Sequence, residues 1–174
     1  LLSAMQAAGV SRIVYSSTAA VYGTQKVMPI REDATISPES PYGFAKAEGE
    51  RMLDWMARCR GWSALSLRYF NPVGAHASGR IGEPIEQASS LVPRALMAIS
   101  GVGPPLTIFG SDYPTPDGTG QRDYIHVVDL ADGHVKALDY LDSGKSSIAC
   151  NLGTGTGSTV LEVLDATTRV AGRE

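Results

Sequence analysis

The sequence predicts an α/β fold built around a parallel sheet, and three observations carry that expectation. Between Arg12 and Tyr69 the segments run strand, loop, helix, strand, an order that implies parallel pairing through a right-handed crossover. The first strand passes directly into small hydroxyl residues, Ser16-Ser17-Thr18, of the kind found at the carboxyl end of a sheet strand. The 174 residues are 43% apolar and 19% charged, a globular mixture that excludes wholesale disorder and, at this length, buries roughly 70% of its extended surface.

The elements follow in order. Leu1 to Ala8 has the residue types of a helix ending at Gly9, which can cap it in a left-handed conformation. Arg12-Ile13-Val14-Tyr15-Ser16 is short and β-branched, hence a strand. Residues 23 to 41 hold Gly23, Pro29, Asp33, Pro38 and Pro41, a loop whose length suggests function. Tyr42 to Arg60 reads as a helix with Phe44, Met52, Leu53, Trp55 and Met56 gathered on one side, closed by Gly61. Ser63 to Tyr69 alternates as a strand. Beyond Asn71 Gly and Pro become frequent and a second region begins. It holds a helix over Leu91 to Ile99, a short strand over Leu106 to Phe109 and a turn-rich loop over Tyr113 to Gly120. Asp123 to Val127 reads as strand, and Asp129 is expected to N-cap a helix carrying Leu130, Val135, Leu138 and Leu141. Ile148 to Leu152 is a last strand, and Ser158 is expected to cap a final helix to about Ala171.

Fifteen Lys and Arg against 18 Asp and Glu leave a net charge of -3, no electrostatic footprint for nucleic acid. Apolar runs fall far short of the ~20 residues that cross a bilayer, and Leu1-Leu2-Ser3-Ala4 lacks the basic segment and cleavage site of a signal peptide. A soluble, cytoplasmic protein is expected. Cys59 and Cys150 lie far apart without metal or redox spacing and read as reduced, buried thiols. The chain starts without Met, inside what reads as a helix, and is expected to be a fragment.

The constellation that could do chemistry is Tyr42-Gly43-Phe44-Ala45-Lys46, with Thr18 closing the preceding strand. Tyr and Lys at i and i+4 share one helix face. A phenol titrating near ~10 is a poor base at neutral pH, but an adjacent ammonium favours the phenolate. A Thr18 hydroxyl could hold a substrate oxygen against the phenol. The spacing alone is weak and more readily fits a structural helix face. Its position adds weight, because ligands in open parallel folds sit beyond the carboxyl ends of the strands.

These segments resemble a known family, the extended short-chain dehydrogenase/reductase group with its NAD-dependent sugar epimerases and dehydratases. Its general marks are residues 16–23, Ser-Ser-Thr-Ala-Ala-Val-Tyr-Gly, and residues 40–46, Ser-Pro-Tyr-Gly-Phe-Ala-Lys. More specific are Leu-Arg-Tyr-Phe-Asn-Pro-Val-Gly-Ala-His over 67–76 and the run from Gly110 to Ala131, which looks like the galactose-pathway 4-epimerases more than their dehydratase or decarboxylase cousins. The resemblance covers the whole chain. It implies the later half of a doubly wound, Rossmann-like NAD-binding domain over 1–71. A mixed α/β UDP-sugar region would occupy most of 72–174, with some segments returning to the first domain.

By the same resemblance Tyr42 is the base, Lys46 its ribose-binding partner and Thr18 the catalytic hydroxyl, all three touching cofactor or substrate. Tyr69 and Phe70 lie beside the nicotinamide. Asn71 contacts the diphosphate, Thr107 and Phe109 hold the uracil, and Arg122 binds the diphosphate. Ser90 stands where the family commonly has Asn, a weaker match. The implied reaction inverts C4 of a UDP-hexose, interconverting UDP-glucose and UDP-galactose through a transient 4-keto sugar. The implied cofactor is NAD, the partner a UDP-sugar, and the full-length protein a homodimer. Glucuronate 4-epimerases or decarboxylases and dTDP-glucose dehydratases are rivals, although Ala19 and Ala20 stand where a dehydratase would be expected to carry an acid. A non-catalytic nucleotide-sugar-binding module is a further rival. The glycine-rich NAD turn is absent from these residues, so the fragment is expected to be inactive alone.

From the residues alone, an Arg can clamp a diphosphate with a planar donor set, yet an Arg beside Asp123 is more often a surface ion pair. Phe109 could stack on a base or fill a core. Gly153-Thr154-Gly155-Thr156-Gly157 mimics a dinucleotide loop, but the 17 residues after it leave no room for the rest of such a site, so it reads as a turn. His76, His126 and His134 lack metal-ligand spacing. Asp54, Asp129 and Glu162 are explained by caps and solvated helix faces.

Overall fold

The computed structural model describes residues 1–84 and 88–172. Its elements are α1 (Leu2–Ala7), β1 (Arg12–Thr18), a 3-10 turn (Ala19–Val21), α2 (Pro41–Arg60), β2 (Ser63–Tyr69), β3 (Asn71–Val73), α3 (Leu91–Ser100), β4 (Gln121–His126), α4 (Val127–Asp142), β5 (Ile148–Leu152), β6 (Gly157–Thr159) and α5 (Val160–Ala171). The chain divides into two compact units. The first comprises Leu1–Phe70 and Asp129–Gly153, the second Asn71–Val128 and the residues from Thr154 onward.

Unit 1 is the Rossmann-like part. Its sheet has the order β1-β2-β5, parallel throughout, with Thr18 opposite Tyr69 and Tyr69 opposite Leu152 at the carboxyl ends. The central strand β2 is buried continuously from Ala64 to Arg68, as expected where helices cover both faces of a parallel sheet. Leu65 and Leu67 project to one face and pack with Ala137 and Leu141 of α4, each buried leucine contributing about 1.5–3 kcal/mol. A second cluster of Val21, Tyr22 and Ala47 gathers Ile30, Ala34 and Ile36 from the long loop, so that loop is anchored by packing.

Helix α2 begins where its sequence directs. Ser40 is the N-cap and accepts from the Gly43 amide at 3.1 Å, Pro41 opens the first turn, and Gly61 ends the helix with φ of 68°. Its buried stripe runs through Gly43, Ala47 and Leu53. Phe44, Met52 and Trp55 are exposed on the opposite side, which corrects the expectation that the large apolar residues share the core face. The reason is proximity: a Cβ on Gly43 would lie 2.5 Å from the Ala20 carbonyl oxygen, so the helix start rests backbone to backbone on the 3-10 turn. On α4 the inward residues are Ala137 and Leu141, while Val135 and Leu138 are exposed.

Unit 2 is mixed. β3 pairs parallel with β4, and β4 pairs antiparallel with β6. β3 and β6 are three-residue strands, too short for an alternation to announce. Three local expectations are corrected. Leu106 to Phe109 forms no strand, since no described strand pairs with it. Asp129 is inside the first turn of α4 and does not cap it; β4 runs straight into the helix, and His126 Nδ1 accepts from the Val128 amide at 3.2 Å. The cap of α5 is Thr159 rather than Ser158, because the Thr159 hydroxyl accepts from the Glu162 amide while the Glu162 carboxylate accepts from the Thr159 amide, a capping box. Cys59 is exposed rather than buried, whereas Cys150 is half-buried and burial pushes its thiol up.

Candidate active site

Unit 1 brings Thr18, Tyr42 and Lys46 to the carboxyl ends of β1 and β2. Thr18 is buried at the end of β1, and its Oγ1 accepts from the Ala20 amide at 3.2 Å. That bond uses a lone pair, which leaves the hydroxyl proton free to donate. Tyr42, in the first turn of α2, is 57% exposed, so its hydroxyl is open to a ligand. One helical turn on, Lys46 Nζ lies 5.8 Å from the centre of the Tyr42 ring and 5.2 Å from that of Tyr15. It donates to the main-chain carbonyl of Ser16 at 2.7 Å. The ammonium is therefore held between a backbone oxygen and two aromatic faces.

Tyr69, expected beside the cofactor, is half-buried, and burial raises its phenol above the usual range despite a hydrogen bond with Ser16. Burial likewise raises Tyr15, helped by the charge of Glu50. Phe70 follows, its amide donating to the Leu152 carbonyl at 3.0 Å.

Beneath Thr18 is a polar network that the sequence reading missed. Arg68 and Glu50 form an ion pair at 2.6 Å with side chains only 8% and 12% exposed. Arg68 also donates to the Tyr22 hydroxyl at 2.7 Å and the Glu32 carbonyl at 3.1 Å, and Ser17 Oγ donates to Glu50. Burial alone would lower the guanidinium's pKa; bonds to Glu50 and Tyr22 outweigh it and raise the value further. Tyr22 in turn donates to Asn151 on β5 at 2.7 Å. A charge amid the apolar alternation of β2 was the available signal, since a buried arginine demands a partner.

In unit 2, Asn71 is on β3 and its side-chain amide donates to the Asp123 carbonyl at 2.9 Å. Arg122 is exposed and donates to the Gln121 carbonyl at 2.8 Å. It does not pair with Asp123, whose carboxylate instead accepts from the Thr154 amide, the Thr154 hydroxyl and the Gly155 amide at 2.7–3.0 Å. The glycine-threonine run is thus a turn wrapped around an internal carboxylate. Phe109 is 77% exposed, which removes the core-packing alternative, and Thr107 is exposed in the same irregular segment. Ser90 precedes α3, and its hydroxyl donates to Glu83 at 2.5 Å while the Ser89 amide donates to the same carboxylate at 2.8 Å. The bond from Ser90, then that from Ser89, holds Glu83 below the usual carboxylate range. Among the described residues no group of three His, Cys, Asp or Glu could hold a metal ion.

Residues 1–153 match the model of the NAD dependent epimerase/dehydratase family. The UDP-glucose 4-epimerase of Bacillus subtilis is 49% identical over all of this chain and 52% of its own length. That of Drosophila melanogaster is 48% identical, with 51% of its length covered. The chain therefore spans about half the length of the curated relatives it matches. Among solved structures, a UDP-glucose-4-epimerase from Stenotrophomonas maltophila with bound NAD and formylated UDP-arabinopyranose superposes with a TM-score of 0.93, at 48% identity over all of this chain and 52% of that one. The Brucella ovis UDP-glucose 4-epimerase in complex with NAD gives 0.92 at 41% identity, covering 97% of this chain and 52% of that one.

Proposed function

The chain belongs to the NAD dependent epimerase/dehydratase family, and from that premise we propose that the protein carrying it inverts C4 of a UDP-hexose, interconverting UDP-glucose and UDP-galactose with NAD as cofactor. The observation that carries the reading is the Tyr42-Lys46 pair at the carboxyl ends of a parallel sheet, with the ammonium 5.8 Å from the phenol ring and fixed on the Ser16 carbonyl. NAD, when bound, supplies reversible two-electron chemistry. The residues here suit its nicotinamide end, because an exposed phenol and a fixed cation offer an acceptor and a donor to a ribose.

In this reading the Tyr42 oxygen removes the C4 hydroxyl proton and later returns it, so no net proton is consumed. Lys46 holds positive charge beside that oxygen. Thr18 donates its free proton to the sugar O4 and shortens the path to Tyr42. Tyr69 and Phe70 would flank the nicotinamide. Asn71, Ser90, Thr107, Phe109 and Arg122 are assigned to the UDP moiety, with Arg122 on the diphosphate and exposed Phe109 against the uracil. Ser90 would have to exchange its bond to Glu83 for one to phosphate. The exposed stripe of Phe44, Met52 and Trp55 on α2 supports a homodimer, which light scattering of the intact protein would read. A cytoplasmic location belongs to the same proposal; no described helix is long and apolar enough to cross a membrane.

The test is turnover by the intact protein. UDP-galactose should yield UDP-glucose without added NADH, and Tyr42→Phe should lose most of that activity. A 4-keto-6-deoxy product would move the assignment to a dehydratase. Binding without turnover would favour a non-catalytic module.

A further inference from the structure

A chain of hydrogen bonds runs from α4 to the side chain of Ser16, the residue whose main-chain carbonyl holds Lys46. His134 Nδ1 lies 2.8 Å from the Leu130 carbonyl oxygen, an atom that only accepts, so Nδ1 carries a proton. Its Nε2 lies 2.6 Å from the Tyr69 hydroxyl, with the two rings 5.5 Å apart and tilted by 50°. The same hydroxyl lies 2.8 Å from Ser16 Oγ. Ser16 is the residue whose carbonyl accepts from Lys46 at 2.7 Å. A phenol has one proton and can donate to only one neighbour. With the Nδ1 proton committed to Leu130, Nε2 can accept from Tyr69, and the Tyr69 oxygen then accepts from Ser16. Every donor in that chain then has one partner and one direction, which simple ring packing would not require.

We propose that His134 is a positioning residue for the Tyr42-Lys46 site, acting through Tyr69 and Ser16 to fix the carbonyl on which Lys46 is held. The proposal rests on the C4-epimerase reading for its kinetic consequence but not for its structural one. His134 is a half-buried residue of α4. What the imidazole adds is an acceptor aimed at Tyr69.

Two measurements on the intact protein decide it. In turnover of UDP-galactose, His134→Leu should lower kcat about tenfold, the scale of one lost hydrogen bond, with KM within about twofold. His134→Gln should regain most of the loss, because its Oε1 can accept from Tyr69 where Nε2 stood. Combining His134→Leu with Tyr69→Phe should cost no more than Tyr69→Phe alone, since both cut the same chain. Unchanged kcat in His134→Leu, or losses that simply add, would overturn the proposal, even where thermal stability falls. Independently of turnover, the Lys46 signal in lysine-labelled protein should shift in His134→Leu and return in His134→Gln. A Lys46 signal that stays put in both would also overturn it. If His134→Leu fails to fold, Tyr69→Phe and His134→Gln carry the comparison. If the parent protein converts no UDP-galactose, the reaction assignment falls while the Lys46 signal still judges the role of His134.

Discussion

Arg68 shows how a single residue can set the ground on which a site stands. Its partner Glu50 is on α2, one turn beyond Lys46, and Ser17 beside Thr18 donates to the same carboxylate. Removing one member leaves a buried charge unpaired, so Arg68→Met should cost about 3–5 kcal/mol in urea unfolding. Replacing both Arg68 and Glu50 with Met should cost well under the sum of the two single changes. Gly43 gives a second expectation. Ala is the better helix former by about 1 kcal/mol, yet Gly43→Ala should destabilise, because its Cβ would meet the Ala20 carbonyl oxygen at 2.5 Å. A gain in melting temperature would show that the helix start can shift. Thr18, Tyr42 and Lys46 were legible in the sequence because i, i+4 spacing and strand ends are local signals. Arg68, Glu50 and His134 were not, because their meaning lies in partners 18 to 65 residues away.

At the scale of elements, long periodic segments were readable and junctions were not. β1, α2, β2 and β5 carry their own patterns, whereas β6 exists only because β4 pairs with it. The cap of α5 illustrates the margin. Thr159 accepts from the Glu162 amide at 3.2 Å and donates to Asp117 at 2.5 Å, while Ser158 one residue earlier serves the sheet. Thr159→Ala should therefore cost at least about 1 kcal/mol, and Ser158→Ala should stay within about 0.5 kcal/mol, both read by chemical denaturation. A larger loss in Ser158→Ala than in Thr159→Ala would place the cap where the sequence alone suggested it. The exposed stripe on α2 taught the opposite lesson about periodicity: the spacing of large apolar residues was real, but small residues took the inner face because the backbones approach closely.

For the whole molecule, the two ends of the pH scale should act on different groups. In unit 2 the bond from Thr159 holds Asp117 below the usual carboxylate range, and Ser90 does the same for Glu83. Their folded values lie under the unfolded ones near ~4, so the stability they contribute is complete above that range and is lost as pH falls through the folded values. In unit 1 burial raises Tyr15, Tyr22 and Tyr69, and in unit 2 it raises Tyr124. These phenols contribute fully below ~10, and the contribution disappears as pH rises through their folded values. The urea midpoint should fall at both extremes. Asp117→Asn should flatten the acid limb and Tyr69→Phe the alkaline one; limbs unaltered by either change would assign the transitions to other groups.

The interleaving of the two units has a consequence for how the protein is made. β2 is complete at Tyr69, but the strand that covers its other edge, β5, begins at Ile148, with all of Asn71–Val128 in between. On a translating ribosome, β2 must wait for some eighty further residues to emerge before its ladder can close, at about 5–20 residues per second. For those seconds the nascent chain exposes an unpaired strand edge, and Leu65 and Leu67 lack Ala137 and Leu141 above them. Synthesis itself thus opens an interval in which a chaperone that shields apolar strands has a defined segment to hold.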